Sequence, residues 1–464
     1  MRAFAVAGVV AALLVAGLAL ATPVRGARNI SELLVEDAGS TDILGGGDYV
    51  FVRVGADAAF GVLWGNDTNP NGIYFVALKA RYLGVGQVFD TSGRQILTNF
   101  PIRYWNLYAV RLLTILEYRD QNGNGVADYR RGYNETTGDF TWYSEGEDVS
   151  KLVNLTTNWT RGTVSRATTA AGRSWEFNLT ARDLPYYGVN NTIVPRGNDR
   201  LDLLRFTFHL NATFEEVDGV AVPSFRITVD TSRVRDAVQN VTREADLTFS
   251  GRVVRYNLKW DQEIVGWDFD PQGPRRLLLE FAALVGNLVL PGLANWVDDR
   301  FVDQSGDAGR VRYDTATGNV TADNRTGELS TPQRLRSPYL DFGGNWSRVG
   351  LFRWVDNSTV DGVTRPVYAQ ILAGRRVAAR GELGGAYVGF AILGGLSYAE
   401  GAEIVHDPEV TTDAITQLTL PTDGVGTALL AVAVVVIIVV VVLAALLFMR
   451  RPKAPAKTPP PPPK

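Results

Sequence analysis

Oxygen-bearing side chains alternate in the stretch Arg119–Arg130, which reads RDQNGNGVADYR. Asp120, Asn122 and Asn124 occupy every second position, Gly125 follows, and Asp128 comes three residues later. This run presents oxygen donors at positions 1, 3 and 5, a glycine at 6, the Val126 carbonyl at 7 and a further donor at 9. That spacing lets one short loop coordinate a calcium ion. The same composition also suits a plain turn, because Asn, Asp and Gly tolerate tight backbone geometry. Asp67–Gly72 has the same D-x-N-x-N-G order but reaches Phe75 where an acid is needed, so it reads as a turn. Asp128 is what separates the two stretches.

The Asp120 stretch resembles the wider D-x-[DN]-x-[DN]-G calcium-loop class of extracellular modules. Arg131 stands at position 12, where the helix–loop–helix sensors of that class carry a bidentate glutamate. The resemblance covers about nine residues and implies a structural calcium that braces a β-connection; it implies nothing about the rest of the chain.

Other chemistry is sparse. The two histidines are His209, on the polar side of an alternating run, and His406, in the loop-like segment IVHDPEV. Neither stands beside a nucleophile motif, and no G-x-S-x-G, H-E-x-x-H, Walker or dinucleotide glycine pattern occurs. No catalytic residue is assigned, and the chain is not read as an enzyme. Paired carboxylates for glycoside cleavage meet in space, not in sequence. The acids to watch are Glu117 in LLTILEYRD, Glu280 in RLLLEFAAL and Asp268 in WDQEIVGWDFD. Their alternative role is structural pairing with arginines such as Arg119, Arg275 or Arg276.

The elements that must position these groups are strands. Two-residue alternation marks Val50–Val54, Phe60–Trp64, Ile73–Leu78, Trp175–Thr180, Leu204–Leu210, Val253–Trp260, Phe352–Val355, Tyr368–Leu372 and Tyr387–Ile392, with Gly, Asn and Asp between them. The expected fold is mostly β: an antiparallel β-sandwich ectodomain, as one large or two packed sandwiches. One helix is expected at Leu290–Val302, opened by Pro291, and Ile30–Val35 is a shorter candidate.

Asn-x-Ser/Thr occurs at Asn29, Asn66, Asn134, Asn154, Asn158, Asn178, Asn190, Asn211, Asn240, Asn319, Asn324, Asn345 and Asn357, which is 13 of 24 asparagines. With 53 Ser and Thr among 464 residues, chance would place about 2.7. The excess reads as N-glycosylation of an exported region. Asn178 and Asn211 fall on the polar side of their runs, the side on which a glycan can be carried.

Both termini speak of membranes. Met1–Ala21 joins Arg2 to an apolar run ending in small residues, the pattern of a signal peptide. Val425–Phe448 holds no charge; as a helix its 24 residues would reach roughly 36 Å, enough to span a bilayer. The tail beyond it carries Arg450, Arg451, Lys453, Lys457 and Lys464 and no acid, which places it in the cytoplasm. Residues 27–423 then hold 39 basic and 49 acidic side chains, a net charge of −10 that argues against nucleic acid as a partner. The absence of cysteine removes thiolate metal sites and disulfides.

The expected order is a signal peptide at 1–21, a linker at 22–46, β-rich parts at 47–220 and 221–420, a transmembrane helix at 424–449 and a basic proline-rich tail at 450–464. In layout the chain resembles archaeal-type surface glycoproteins with a single C-terminal anchor. The resemblance implies a cell-membrane protein with its large region outside and a structural, adhesive or binding role toward other surface proteins or glycans. A membrane-anchored polysaccharide hydrolase and a ligand-binding component of a surface complex are the alternatives.

Overall fold

A computed structural model describes residues 34–418, apart from 41–47, 55–57, 65–71, 128, 134–139, 145–148, 170, 191, 233–237, 290–311, 314–319, 323–324, 328–332, 335–338, 342–349 and 381–385. The described chain is mostly β and contains no helix. Most of its strands join one large hydrogen-bonded sheet system, and a single described pairing, Val85–Asp90 alongside Ser224–Val229, is parallel.

Alternation explains why these segments are strands and which way they face. Leu204, Phe206, Phe208 and Leu210 are buried, while Arg205, Thr207 and His209 between them are half-exposed. Hydrogen-bond register carries that face across neighbours: Phe177 lies opposite Phe208, and Phe208 opposite Trp260. A second row runs Val50, Val62, Phe75, Val110, Ala283 and Ile392 through six successive strands, every one of them buried.

The two rows meet in one core. Phe75 stacks on Trp260 with ring centroids 4.4 Å apart and meets the edge of Phe208 at 5.8 Å, while Phe60 stacks on Tyr256 at 5.1 Å. Such ring pairs add about 0.5–1.5 kcal/mol each beyond the area they bury. A core built this way needs no disulfide brace.

The nine alternating runs all contribute strand residues. Three details differ from expectation. Leu34–Ser40, inside the expected linker, is a strand paired with Asp48–Val54, and it takes in Leu34 and Val35 of the candidate short helix. Leu34 is buried in the main core, and Glu36 two residues on bonds Arg166 and the Trp175 indole, so the segment is held by long-range contacts that local propensity does not report. His406 ends the strand Glu403–His406 and is buried, not looped out. The expected division at 220/221 falls within the strand Thr192–Val229. Leu290–Val302, Asp67–Asn71, the signal peptide and the 424–449 span lie outside the described residues. No helix among the described residues is long and apolar enough to cross a membrane.

Candidate functional site

The strand Gln95–Arg119 carries Glu117 near its end, on the same side as the core residue Ile115. Its register partners are Lys151 on one side and Leu277 on the other. The connection 266–274 closes over it. Gly266, at φ +76°, turns the chain so that Trp267 enters the core. The Trp267 indole N–H donates to Glu117 Oε2 at 2.8 Å, the Asp270 N–H to Oε1 at 3.1 Å, and the Ser150 hydroxyl to Oε1 at 2.9 Å.

Two cations complete the cluster. Lys151 Nζ stands 3.7 Å from Glu117 Oε2, 3.7 Å from Asp268 Oδ2 and 3.8 Å from Asp270 Oδ1, and it donates to the Asp268 carbonyl. Arg275 Nε lies 3.6 Å from Glu117 Oε1. The ammonium also lies 4.7 Å from the centre of the Tyr186 ring, whose hydroxyl accepts the Asp268 N–H at 3.1 Å. Burial pushes the Tyr186 phenol up to about 12; the Asp268 N–H opposes the rise, and the carboxylates of Asp268, Glu117 and Asp202 add to it.

The cluster therefore brings together two of the three acids singled out for glycoside chemistry, Glu117 and Asp268, around one lysine. Its geometry is that of an anchor. Glu117 is fully buried, and each of these polar partners of its carboxylate donates or is positively charged. A general acid must instead hold a proton aimed at a leaving group. Asp268 is 67 % exposed, so the pair joins a sealed carboxylate to a solvated one. Glu280 is elsewhere: it takes a hydrogen bond from the Thr114 hydroxyl on the other side of its strand, the side of Leu278. Lys151, Ser150, Asp270 and Tyr186 escaped sequence reasoning. Lys151 had a legible signal, since it stands two residues before the core residue Val153 and so shares its side.

The two histidines are held in different surroundings. His209 lies between Glu176 at 3.1 Å and Asp261 at 3.0 Å on the outer side of its sheet. His406 is buried; its Nε2 faces the Val355 carbonyl at 2.8 Å and its Nδ1 the Tyr398 hydroxyl at 3.2 Å. A carbonyl only accepts, so Nε2 carries the proton and Nδ1 accepts from Tyr398. Burial drives the imidazole down to about 4, against the opposing pull of Val355 and Asp407.

The Asp120 loop is a chain of side-chain-to-backbone bonds. Asp120 Oδ2 accepts the Gly125 N–H at 3.0 Å, Asn122 Oδ1 the Asn124 N–H at 3.0 Å, and Asn124 Oδ1 the Val126 N–H at 2.6 Å. Gly123 and Gly125 take φ of +68° and +74°, and a Cβ on Gly125 would collide with the Tyr368 ring. Asp128 lies outside the described residues. Among the described residues no group of three His, Asp or Glu side chains converges as a metal site.

Of the sequon residues, Asn158, Asn240 and Asn357 are exposed and Asn154, Asn178 and Asn211 half-exposed. Asn190 ends the strand Gly172–Asn190, and Asn29, Asn66, Asn134, Asn319, Asn324 and Asn345 lie outside the described residues. Trp267 is buried, so it offers no aromatic platform; the large hydrophobics exposed among the described residues are Ile96, Val355 and Val363. Comparison with protein-family models, with curated proteins and with solved structures gives no match.

Proposed function

We propose that the chain is a single-pass, N-glycosylated cell-surface protein whose outer region, an antiparallel β-sandwich, has a structural or adhesive role in the envelope. Its C-terminal run anchors it in the membrane, its basic tail lies in the cytoplasm, and its partners are other surface proteins or glycans. The observation that carries this reading is the position of Asn178 and Asn211. Each is solvent-accessible on a strand whose alternate residues, Phe177 and Leu179 or Leu210 and Ala212, are core. A glycan carried on that side points away from the core. The polar cluster around Glu117 supports the same reading, since the Trp267 and Asp270 N–H groups and Lys151 fasten the 266–274 connection.

The test is purification of the native protein from membranes, with glycopeptide mass spectrometry and cross-linking of its neighbours. The expected result is sugar on several sequons and recovery with other surface proteins. Recovery as a lone, unmodified monomer that cleaves polysaccharide would sink the proposal in favour of a hydrolase built on Glu117 and Asp268.

A further inference from the structure

Asp120 is a carboxylate shielded from water, 5 % exposed, yet its Oδ1 has no hydrogen-bond partner. No ion pair to it occurs among the described residues, and its one side-chain bond is the Gly125 N–H on Oδ2. Burying a charge with so little compensation costs several kcal/mol, so native carboxylates in such places are paired or bound to a metal. The bond to Gly125 holds the carboxylate against the loop formed by residues 120–125, with Oδ1 left unfilled on the same carbon.

We propose that the loop Asp120–Val126 binds a calcium ion through Asp120 Oδ1, the side-chain oxygens of Asn122 and Asn124, and the Val126 carbonyl. An amide oxygen has two lone pairs, so accepting one N–H does not bar it from a cation. The left-handed conformations of Gly123 and Gly125 are what let so short a segment curl round an ion. Ligand chemistry selects the metal. Zinc favours nitrogen and sulfur, and the loop has neither histidine nor cysteine. Magnesium demands near-ideal octahedral geometry and gives up water reluctantly, whereas calcium accepts six to eight oxygens in looser arrangements. With one described carboxylate among neutral donors, the site belongs to the weak class suited to an exterior rich in calcium, with a Kd of about 0.1–1 mM.

The ion would fasten three strands. The Asp120 N–H bonds the Pro274 carbonyl at 3.1 Å, just before the strand Arg275–Val289. Gly125 abuts Tyr368, and the Gln370 amide bonds both the N–H (2.8 Å) and the carbonyl (3.1 Å) of Ala127, tying in the strand Tyr368–Arg380. This inference does not rest on the proposed cell-surface role, because calcium binding is read on the purified chain whatever its address.

The experiment is calorimetric titration and thermal melting of the full-length protein in detergent, stripped with a chelator and supplied with calcium or magnesium alone. Calcium is expected to bind saturably and raise the melting temperature by about 1–3 °C at ten times Kd. Magnesium is expected to do neither. Asp120→Asn keeps an acceptor for the Gly125 N–H and removes the charge. It should bind calcium at least about tenfold more weakly, yet melt no lower than wild type in chelator. Asp90→Asn is the control, since Asp90 Oδ1 is already filled by the Ser92 N–H and hydroxyl and the Arg94 N–H; it should bind calcium as wild type does. Calcium-displaceable terbium emission from the wild-type chain, excited through tyrosine, gives a readout that needs no variant to fold. Absent saturable calcium heat, an equal response to magnesium, terbium emission that calcium does not displace, or wild-type binding by Asp120→Asn would each overturn the proposal.

Discussion

Glu117 and Lys151 face each other in register across two strands, both buried, with Nζ 3.7 Å from Oε2. Removing one member takes a buried partner from the other, leaving Glu117 with Arg275 or Lys151 with Asp268 and Asp270. Glu117→Gln and Lys151→Met should each cost about 3–5 kcal/mol in urea unfolding. The double variant should cost less than the sum by at least about 1 kcal/mol, the coupling expected of groups in contact. Asp268→Asn, at the solvated rim, should cost under about 1 kcal/mol. Additive losses would show that the pair is not an interacting unit.

Gly125 and Gly93 share a left-handed backbone but differ in what surrounds them. A Cβ at Gly93 meets nothing within 4 Å, whereas one at Gly125 runs into the Tyr368 ring. Gly93→Ala should therefore cost only the backbone term of about 1–2 kcal/mol. Gly125→Ala should cost about 1–3 kcal/mol more, from overpacking. Equal unfolding midpoints for the two variants would contradict the close approach of loop and ring.

The buried imidazole of His406 makes stability depend on pH in a defined window. Its value falls from 6.5 in the unfolded chain to about 4 in the fold, so the unfolded state takes up a proton first as pH drops. The contribution is fully present above pH 6.5, is lost between 6.5 and about 4, and changes no further below that. The loss amounts to about 3 kcal/mol. His406→Gln should flatten this part of the stability profile, measured by urea unfolding at a series of pH values.

Sequon occupancy should follow exposure. Asn158, Asn240 and Asn357 are exposed, whereas Asn154 uses its side-chain oxygen to accept the Thr156 N–H, and the Asn178 amide lies against Gly162. Glycopeptide mass spectrometry of the native protein should find the first three more fully modified than Asn154 and Asn178. The reverse order would mean that modification precedes local folding.

The mostly β character and the strand faces were legible because a strand repeats every two residues, so each alternating run declares its own inner side. That is why Leu204–Leu210 and Trp175–Thr180 could be oriented from the sequence, sequons included. The glycines and Asx side chains of the Asp120 loop were legible for a similar reason, since turn chemistry is local. Leu34–Ser40 was not, because it depends on pairing with Asp48–Val54 and on the hold of Arg166 and Trp175 on Glu36, contacts outside its own segment.

Glu117 and Glu280 mark the limit. In sequence both are acids inside apolar runs, and their strands are hydrogen-bonded neighbours. Only the tertiary structure decides that Glu117 faces the central core, to be met by Lys151 and by Trp267, 150 residues away, while Glu280 turns to Thr114 on the opposite side. Local period sets which residues share a face. Partner choice depends on the register between distant strands, which their joint packing determines and which no single segment encodes.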